Sequence, residues 1–448
     1  MKSGLFAEQP LPPSARRALI AGCVGFAVDF FDIYLPVLAL APVTKYFQPP
    51  GLSGAASTTI YFFIFAATLL GRPCGAIIFG HWADRIGRQR MTIVSIVGFG
   101  TFTFLIACLP GYATIGLASL TLLIAFRFIG GVFMGGEYTS NNTLALEVVP
   151  KARRGFVGGV LQGAYPIGFF LVSVVTSVLL SATTPPEYLL WGWRIAFIFG
   201  AILAVLFLIY YIKVPESSLW IHSEKSSTPL KDVVSGDHLK NLVQIFIMMV
   251  GFWFGSQSLI SVMPGVLIHQ LHVPSKLMTN GLLITSFMQF FAFVGFGLLG
   301  QMIGRRLAIT LSGLLILIGG TGLYALAVAY ALAGGSLVST TFIACVCYLL
   351  VVSPWGIVTT YICERFPTHV RASGYGIGYS LAVLIPAFAG AYMLALRHIM
   401  PYAYTPVVLI ALSGILIVIG ALMGPETRDV ELGAPDLAAR TTAPAAGA

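Results

Sequence analysis

The chain has 448 residues, of which 57% are hydrophobic and 9% charged. A water-soluble domain carries about 25% charged residues, so this chain is not built to face water. Its formal charge of +9 comes from lysines and arginines gathered in short connections, a pattern that reflects membrane topology and offers no surface for nucleic acid.

Apolar runs long enough to cross a bilayer, roughly 20 residues each, recur along the whole chain. They are read at 18–42, 56–80, 91–109, 115–146, 156–181, 192–212, 241–268, 277–302, 307–331, 337–362, 372–396 and 402–424, about twelve spans in all, with the softest edges after Val338. The fold class is an all-α polytopic membrane protein, its lipid partner a bilayer. If the spans alternate, Lys2, Arg16 and Arg17 share a side with Arg85, Arg88, Arg90, Lys151, Arg153 and Arg154. Lys213, Lys225, Lys231, Lys240, Arg305, Arg306, Arg365, Arg371, Arg428 and Arg440 join them, against Lys45, Arg194, Lys276 and Arg397 opposite. The positive-inside rule then places both termini in the cytoplasm of a bacterial inner membrane. The six cysteines lie in or at the ends of apolar spans without metal-type spacing, and no metal or cofactor is expected. The first run is too long for a cleavable signal and reads as a retained span.

A long polar stretch divides the spans six and six. The expected organisation is a six-helix bundle over 1–212, a cytoplasmic linker over 213–240, a second bundle over 241–426 and a disordered tail over 427–448. A repeat agrees with the division. Glu147, Pro150 and Arg154 match Glu364, Pro367 and Arg371, each pair 217 residues apart, and the same offset carries Gly80, Gly87 and Arg88 onto Gly297, Gly304 and Arg305. Two parallel repeats are a transporter architecture, with the solute site near mid-depth between the halves.

Ionisable residues inside a membrane are expensive, at about 2.5–3.5 kcal/mol each on insertion scales. Asp29, Asp32, Arg72, Arg127 and Glu137 lie deep in their spans. Three acids and two bases leave one charge unmatched. Asp29 and Asp32 are three apart and share a helix face; two ionised carboxylates there repel, so one is expected to hold a proton. Arg127, at a depth near that of Asp32, is the natural cation to control it. Glu137, ten residues and about 15 Å further along the same helix, reads either as a second proton station or as a hydrogen-bond acceptor for its neighbours. Arg72 precedes Pro73, where carbonyls are freed; it reads either as a ligand for a solute carboxylate or as the group that satisfies those carbonyls. Tyr34, Asn141, Gln162 and Tyr165 in the first half, with Trp253, Gln257, Gln289, Trp355, Tyr375 and Tyr379 in the second, are candidate lining of an amphipathic solute site.

GHWADRIGRQR (80–90) resembles the G-x-x-x-D-R-x-G-R loop of the major facilitator superfamily, and GLLGQMIGRR (297–306) a second copy with Gln301 in place of the acid. GRPCGAIIFG (71–80), RFIGGVFMGGE (127–137), ERFPTHVRASG (364–374), PESSLW (215–220) and PETR (425–428) fit the same family. DFFDIY (29–34) resembles the first-span motif of its metabolite:proton symporters, which carry dicarboxylates, citrate, shikimate and betaine-type solutes, with Asp for Glu and Phe for Trp. The resemblance implies a twelve-helix symporter that couples an acid of the first helix to an arginine of the fourth. Asp32 with Arg127 is the first expectation and Asp29 the alternative.

Asp84, Arg85, Gly87, Arg88, Arg90, Glu147, Arg154, Glu364 and Arg371 belong to the loop motifs and are expected to gate. Bonds they make in one state and break in the other would bias the exchange between inward- and outward-open forms. The function expected is proton-coupled import of a small organic anion by a monomer. The alternatives are proton-driven export of hydrophobic compounds, or symport of a sugar- or betaine-like solute. GVLQGAYPIG (159–168) has the spaced glycines of an exporter motif but its proline is displaced. An enzyme is not expected, since neither a metal-type cluster, a nucleophile–base pair nor a nucleotide loop can be read.

Overall fold

In the computed structural model, residues 13–52 and 54–433 are described. Lys2 and Arg440, and the tail beyond residue 433, lie outside them. Among the described residues twelve helices are long and apolar enough to span a membrane. They are α1 (Pro13–Leu38), α2 (Phe63–Ile86, on a helix that begins at Gly54), α3 (Arg88–Ala107), α4 (Leu117–Glu147), α5 (Lys151–Ala182) and α6 (Pro185–Tyr211). After the connection come α7 (Gly236–His269), α8 (Ser275–Ile303), α9 (Arg305–Leu332), α10 (Leu337–Glu364), α11 (Thr368–Leu396) and α12 (Tyr402–Met423). Large apolar side chains such as Leu206, Ile284, Phe287, Ile318 and Phe342 remain exposed on the outside, as a lipid-facing surface requires.

Packing within the bundle depends on close backbone approach, since lipid gives helices no hydrophobic drive to associate. In α2 and α4 the sequences GRPCG and IGGVFMGG supply it. A β-carbon on Gly75 would lie 1.8 Å from the Val132 carbonyl oxygen, and one on Gly131 would lie 2.2 Å from that of Thr68. The two halves meet along α2–α11 and α5–α8 in the same manner. A β-carbon on Gly80 would be 3.0 Å from Ser373 Cα, and one on its repeat mate Gly297 would be 2.3 Å from the Gly155 carbonyl oxygen.

The second half is less regular than its hydropathy suggests. A π-helical segment spans Gln257–Val262 in α7, α10 breaks at Ser353–Pro354, and α11 tightens into 3-10 turns over Leu381–Leu384 and Pro386–Phe388. Such turns commonly mark functional positions, and here they place Gln257, Ser261 and Trp355 beside a central cavity. Part of the stretch read as tail is ordered. Val430 accepts from Arg154 Nη1 at 2.6 Å, and Glu431 pairs with Lys151 at 2.6 Å, which holds its carboxyl below the usual range.

Gly75→Ala and Gly131→Val are expected to lower the thermal unfolding midpoint in detergent, with overpacking costs of about 1–3 kcal/mol. Gly322→Ala, where nothing lies within 4 Å of the added carbon, should leave it unchanged. Equal midpoints for all three would refute the account of close packing.

Candidate functional site

The five deep ionisable residues resolve into two pairs and a remainder. Asp32 of α1 is enclosed by bonds: Thr103 Oγ1 donates to Oδ1 at 2.5 Å, Arg127 Nη1 to Oδ2 at 3.0 Å, and Arg127 Nη2 to its backbone carbonyl at 3.1 Å. Asp29, one turn earlier, lies 3.0 Å from Arg72 Nη2 but without hydrogen-bond alignment, and neither of its oxygens has a donor among the described residues. The Arg72 guanidinium also stands over the rings of Tyr138 at 4.7 Å and Phe30 at 5.7 Å. Glu137 has no ion pair among the described residues. Its Oε1 accepts from Asn141 Nδ2 at 2.7 Å while Oε2 is without a donor, and it lies within electrostatic reach of Asp29 and Arg72. Gly25 makes room for it, since a β-carbon there would fall 2.2 Å from Oε1.

A cavity of about 240 Å³ lies at this depth between the halves. Of the candidates named from sequence, its lining includes Tyr34, Arg72, Gln162, Tyr165, Trp253, Gln257, Trp355 and Tyr379, together with Ser256 and Ser261. Helices α3, α6, α9 and α12 contribute nothing to it. Three candidate lining residues lie elsewhere. The Asn141 amide is spent on Glu137 and on the Ala21 carbonyl at 3.2 Å, so it ties α4 to α1. Gln289 is fully buried and absent from the lining, with neither end of its amide bonded among the described residues. Tyr375 also lies outside the lining, where its hydroxyl accepts from Asn142 Nδ2 at 3.3 Å. Asp32 and Arg127 do not line the cavity; of the deep charges, Arg72 does. Hydroxyls of Tyr34, Tyr165 and Tyr348 form a chain across the cavity wall from α1 through α5 to α10, with both links 3.4 Å. A second cavity of about 670 Å³ shares Phe65, Leu69, Gln257 and Ser261 with the first and reaches His269, Gln270 and Tyr402. The central cavity thus continues toward the end opposite the basic loops.

The end with the basic loops is closed. Asp84 of α2 caps the N-terminus of the helix opening at Arg371 in the other half. It accepts from Ala372 N at 3.1 Å, Ser373 N at 2.8 Å and Ser373 Oγ at 2.7 Å, which satisfies donors that a helix start leaves free. Arg88 joins Asp84 at 3.4 Å to Glu147 at 3.0 Å, and Arg371 reaches Glu147 at 2.6 Å across the halves. The repeat builds a weaker copy. Gln301 accepts from Gly155 N at 3.1 Å and from Arg305 at 2.7 Å; Arg305 pairs with Glu364 at 3.3 Å, and Arg154 stands 3.9 Å from Glu364. Arg85 and Arg90 are exposed and outside both clusters; Arg85 stacks over Trp82 at 5.5 Å.

Gly87, at φ +122°, and its mate Gly304, at φ +101°, turn the chain where a side chain would be strained. Both are closely covered by acids with no role assigned from sequence. Glu216 accepts from Gln89 N at 3.0 Å, and Glu426 from Arg305 N at 2.7 Å and Arg306 N at 3.1 Å, so each carboxylate sits on the positive start of a helix. Burial raises the Glu216 carboxyl above its usual range, against the Ser217 and Gln89 amides that lower it. Their signal was the paired PES and PET segments. Thr103, the hydroxyl on Asp32, had none, being one threonine among several in an apolar run.

Twelve spans around a mid-depth cavity, shut at one end by ionic clusters, define a membrane transporter. The chain belongs to the Major Facilitator Superfamily, whose profile matches residues 20–391, which makes it a transporter and not an enzyme. It is similar to the inner membrane metabolite transport protein YhjE of Escherichia coli K12, 29% identical over 95% of this chain and 98% of that protein. The alpha-ketoglutarate permease of the same organism is 30% identical over 85% and 88%. Among solved structures, the proton:xylose symporter XylE with bound 6-bromo-6-deoxy-D-glucose shares the fold, with a TM-score of 0.73 at 20% identity over 94% of this chain and 98% of that one.

Asp84→Asn removes the charge from a cap whose bonds are worth about 1.5–3 kcal/mol each. Alkylation of Cys363, buried behind Arg371 at the closed end, is expected to speed up roughly tenfold or more, and to slow in Gln301→Asp, which restores the acid in the weaker copy. Unchanged rates at the Cys363 peptide, read by mass spectrometry, would exclude a gating role.

Proposed function

We propose that the protein imports a small organic anion, a mono- or dicarboxylate, together with protons by alternating access. It does so as a monomer in the bacterial inner membrane, with the basic loops and both termini cytoplasmic and the bundles divided at 213–240. The names of its relatives support metabolite transport, an inner-membrane location and a carboxylate solute.

One observation carries the reading: Arg72 is the counter-ion of Asp29 and also a wall of the cavity. A solute carboxylate arriving while Asp29 is ionised would set two anions on one guanidinium. A proton arriving alone would leave Arg72 uncompensated. Breaking a buried pair in either way costs on the order of 3–5 kcal/mol, whereas proton and anion together replace one pair by another. That is symport. Sequence reasoning set the proton on Asp32 first; its closed shell of Thr103 and Arg127 favours Asp29 for the exchange, with Asp32–Arg127 as the fixed pair that holds α1 against α3 and α4. Glu137, which makes no ion pair among the described residues, serves as a proton station further toward the cytoplasmic end. Export of hydrophobic compounds is the second reading, favoured by the apolar second cavity along Phe63, Phe65 and Phe388.

The test is pH recording in weakly buffered, energy-depleted cells as solutes are added. A carboxylate is expected to cause transient alkalinisation, absent in Asp29→Asn, and its uptake should rise in more acidic medium, where Asp29 is protonated more often. Loss of the signal in Asp32→Asn alone would return the proton to Asp32. No alkalinisation with any solute, joined to resistance against toxic hydrophobic compounds, would establish export.

A further inference from the structure

The cavity makes demands on its solute beyond a negative charge. Resting on the anion-import reading above, we propose that it takes a monocarboxylate whose carboxylate sits on Arg72 and whose remainder is a flat, mainly apolar body laid against Trp253, Trp355 and Tyr379.

Charge comes first. Arg72 is the one charged side chain among the described residues that line the cavity. A dicarboxylate would bring a second anion into it with no cation to receive it, and an unpaired buried charge is far more expensive than an unpaired polar group. The polar atoms of the wall come second, because most of them are already engaged. Trp355 Nε1 donates to Ser256 Oγ at 2.7 Å, and Trp253 Nε1 to the Tyr379 carbonyl at 2.9 Å. Thr359 Oγ1 donates to Gln162 Oε1 at 3.2 Å, and Ser261 Oγ to Gln257 Oε1 at 2.7 Å. The indoles therefore turn carbon toward the solute, and a sugar, with a hydroxyl on nearly every carbon, would find few free partners.

Ring geometry separates the remaining candidates. Trp253 and Trp355 lie 4.8 Å apart at 72°, and Tyr379 stands 5.7 Å and 5.6 Å from them, all edge to face. Rings this close leave no space between them for a quaternary ammonium, and among the described residues the cavity lining has no acid to help hold one. What they offer instead is a continuous stacking wall. Tyr379 extends that wall to the cation, since its ring is 5.2 Å from Tyr138, on whose face the Arg72 guanidinium rests. A carboxylate bound to Arg72 would place a ring one or two carbons away against the wall, where offset or edge contacts add to burial.

The test uses the full-length protein purified in detergent, with tryptophan fluorescence titrated by phenylacetate, succinate, glycine betaine and xylose. Phenylacetate is expected to bind at least roughly tenfold more tightly than the others. Trp355→Leu should weaken it roughly tenfold and Trp355→Phe should largely restore it, a rescue that separates stacking from a general packing role. Equal or tighter binding of succinate, betaine or xylose, or no response to any of the four, overturns the proposal. Radiolabelled uptake and pH recording in proteoliposomes, corrected for empty vesicles, separate this proposal from the one it rests on. Phenylacetate bound and carried without proton movement upholds the monocarboxylate and sinks proton symport. Alkalinisation with succinate but not phenylacetate does the reverse.

Discussion

A guanidinium buried in a low-dielectric cavity has one charge to give, and two carboxylates that want it cannot both be satisfied. Arg72 is in that position between Asp29 and the open volume of the cavity. Much of the neighbourhood follows from keeping this one cation available and correctly aimed. Tyr138 and Phe30 hold its plane without consuming its donors. Asp32 is removed from competition by Arg127 and Thr103. Among the described residues Glu137 makes no ion pair, and its Oε2 has no donor. The same arrangement at a protein surface would mean little, since water would screen it.

The closed end obeys a different economy. Each half opens one helix directly onto an acceptor from the other: α11 onto Asp84, and the helix starting at Arg154 onto Gln301. These are backbone donors at helix starts, fixed in direction, so they recognise a docked partner and nothing less. Gly80 and Gly297 permit the approach that brings them into range. A glycine in each repeat thus sets how far the halves can close, and an acid or amide four residues later fastens them.

Most of the architecture could be read in advance because hydropathy, loop charge and a repeat of constant offset are all properties of sequence separation. The twelve spans came out within seven residues of their bounds: α1 ends four residues before the expected 42 because the chain turns after Leu38, α2 runs six residues past 80, and α6 starts seven before 192. What could not be read was which way a side chain points. Asn141 and Gln289 carry the same amide as Gln162 and Gln257, yet one braces a helix contact and the other is buried off the cavity. Nor could the pairing of Asp29 with Arg72 be separated from that of Asp32 with Arg127, since depth along a helix does not fix azimuth around it. The π-turn that presents Gln257 and Ser261 has no sequence cue at all beyond a nearby proline.

The repeat, finally, is not a faithful one, and its fault falls at a telling place. On the side of α2, α4 and α11 the halves are joined by the Asp84 cap and the 2.6 Å Arg371–Glu147 contact; on the side of α5, α8 and α10 they are joined by the neutral Gln301 amide and by Arg154, 3.9 Å from Glu364. A shell fastened firmly on one margin and loosely on the other does not part evenly. It swings. The α2–α11 margin is expected to act as the pivot and the α5–α8 margin as the lip that lifts first, so that water arriving from the basic end would meet Gln162 and Tyr165 before it meets Arg72, and a solute held on that guanidinium would be wetted from its far side first.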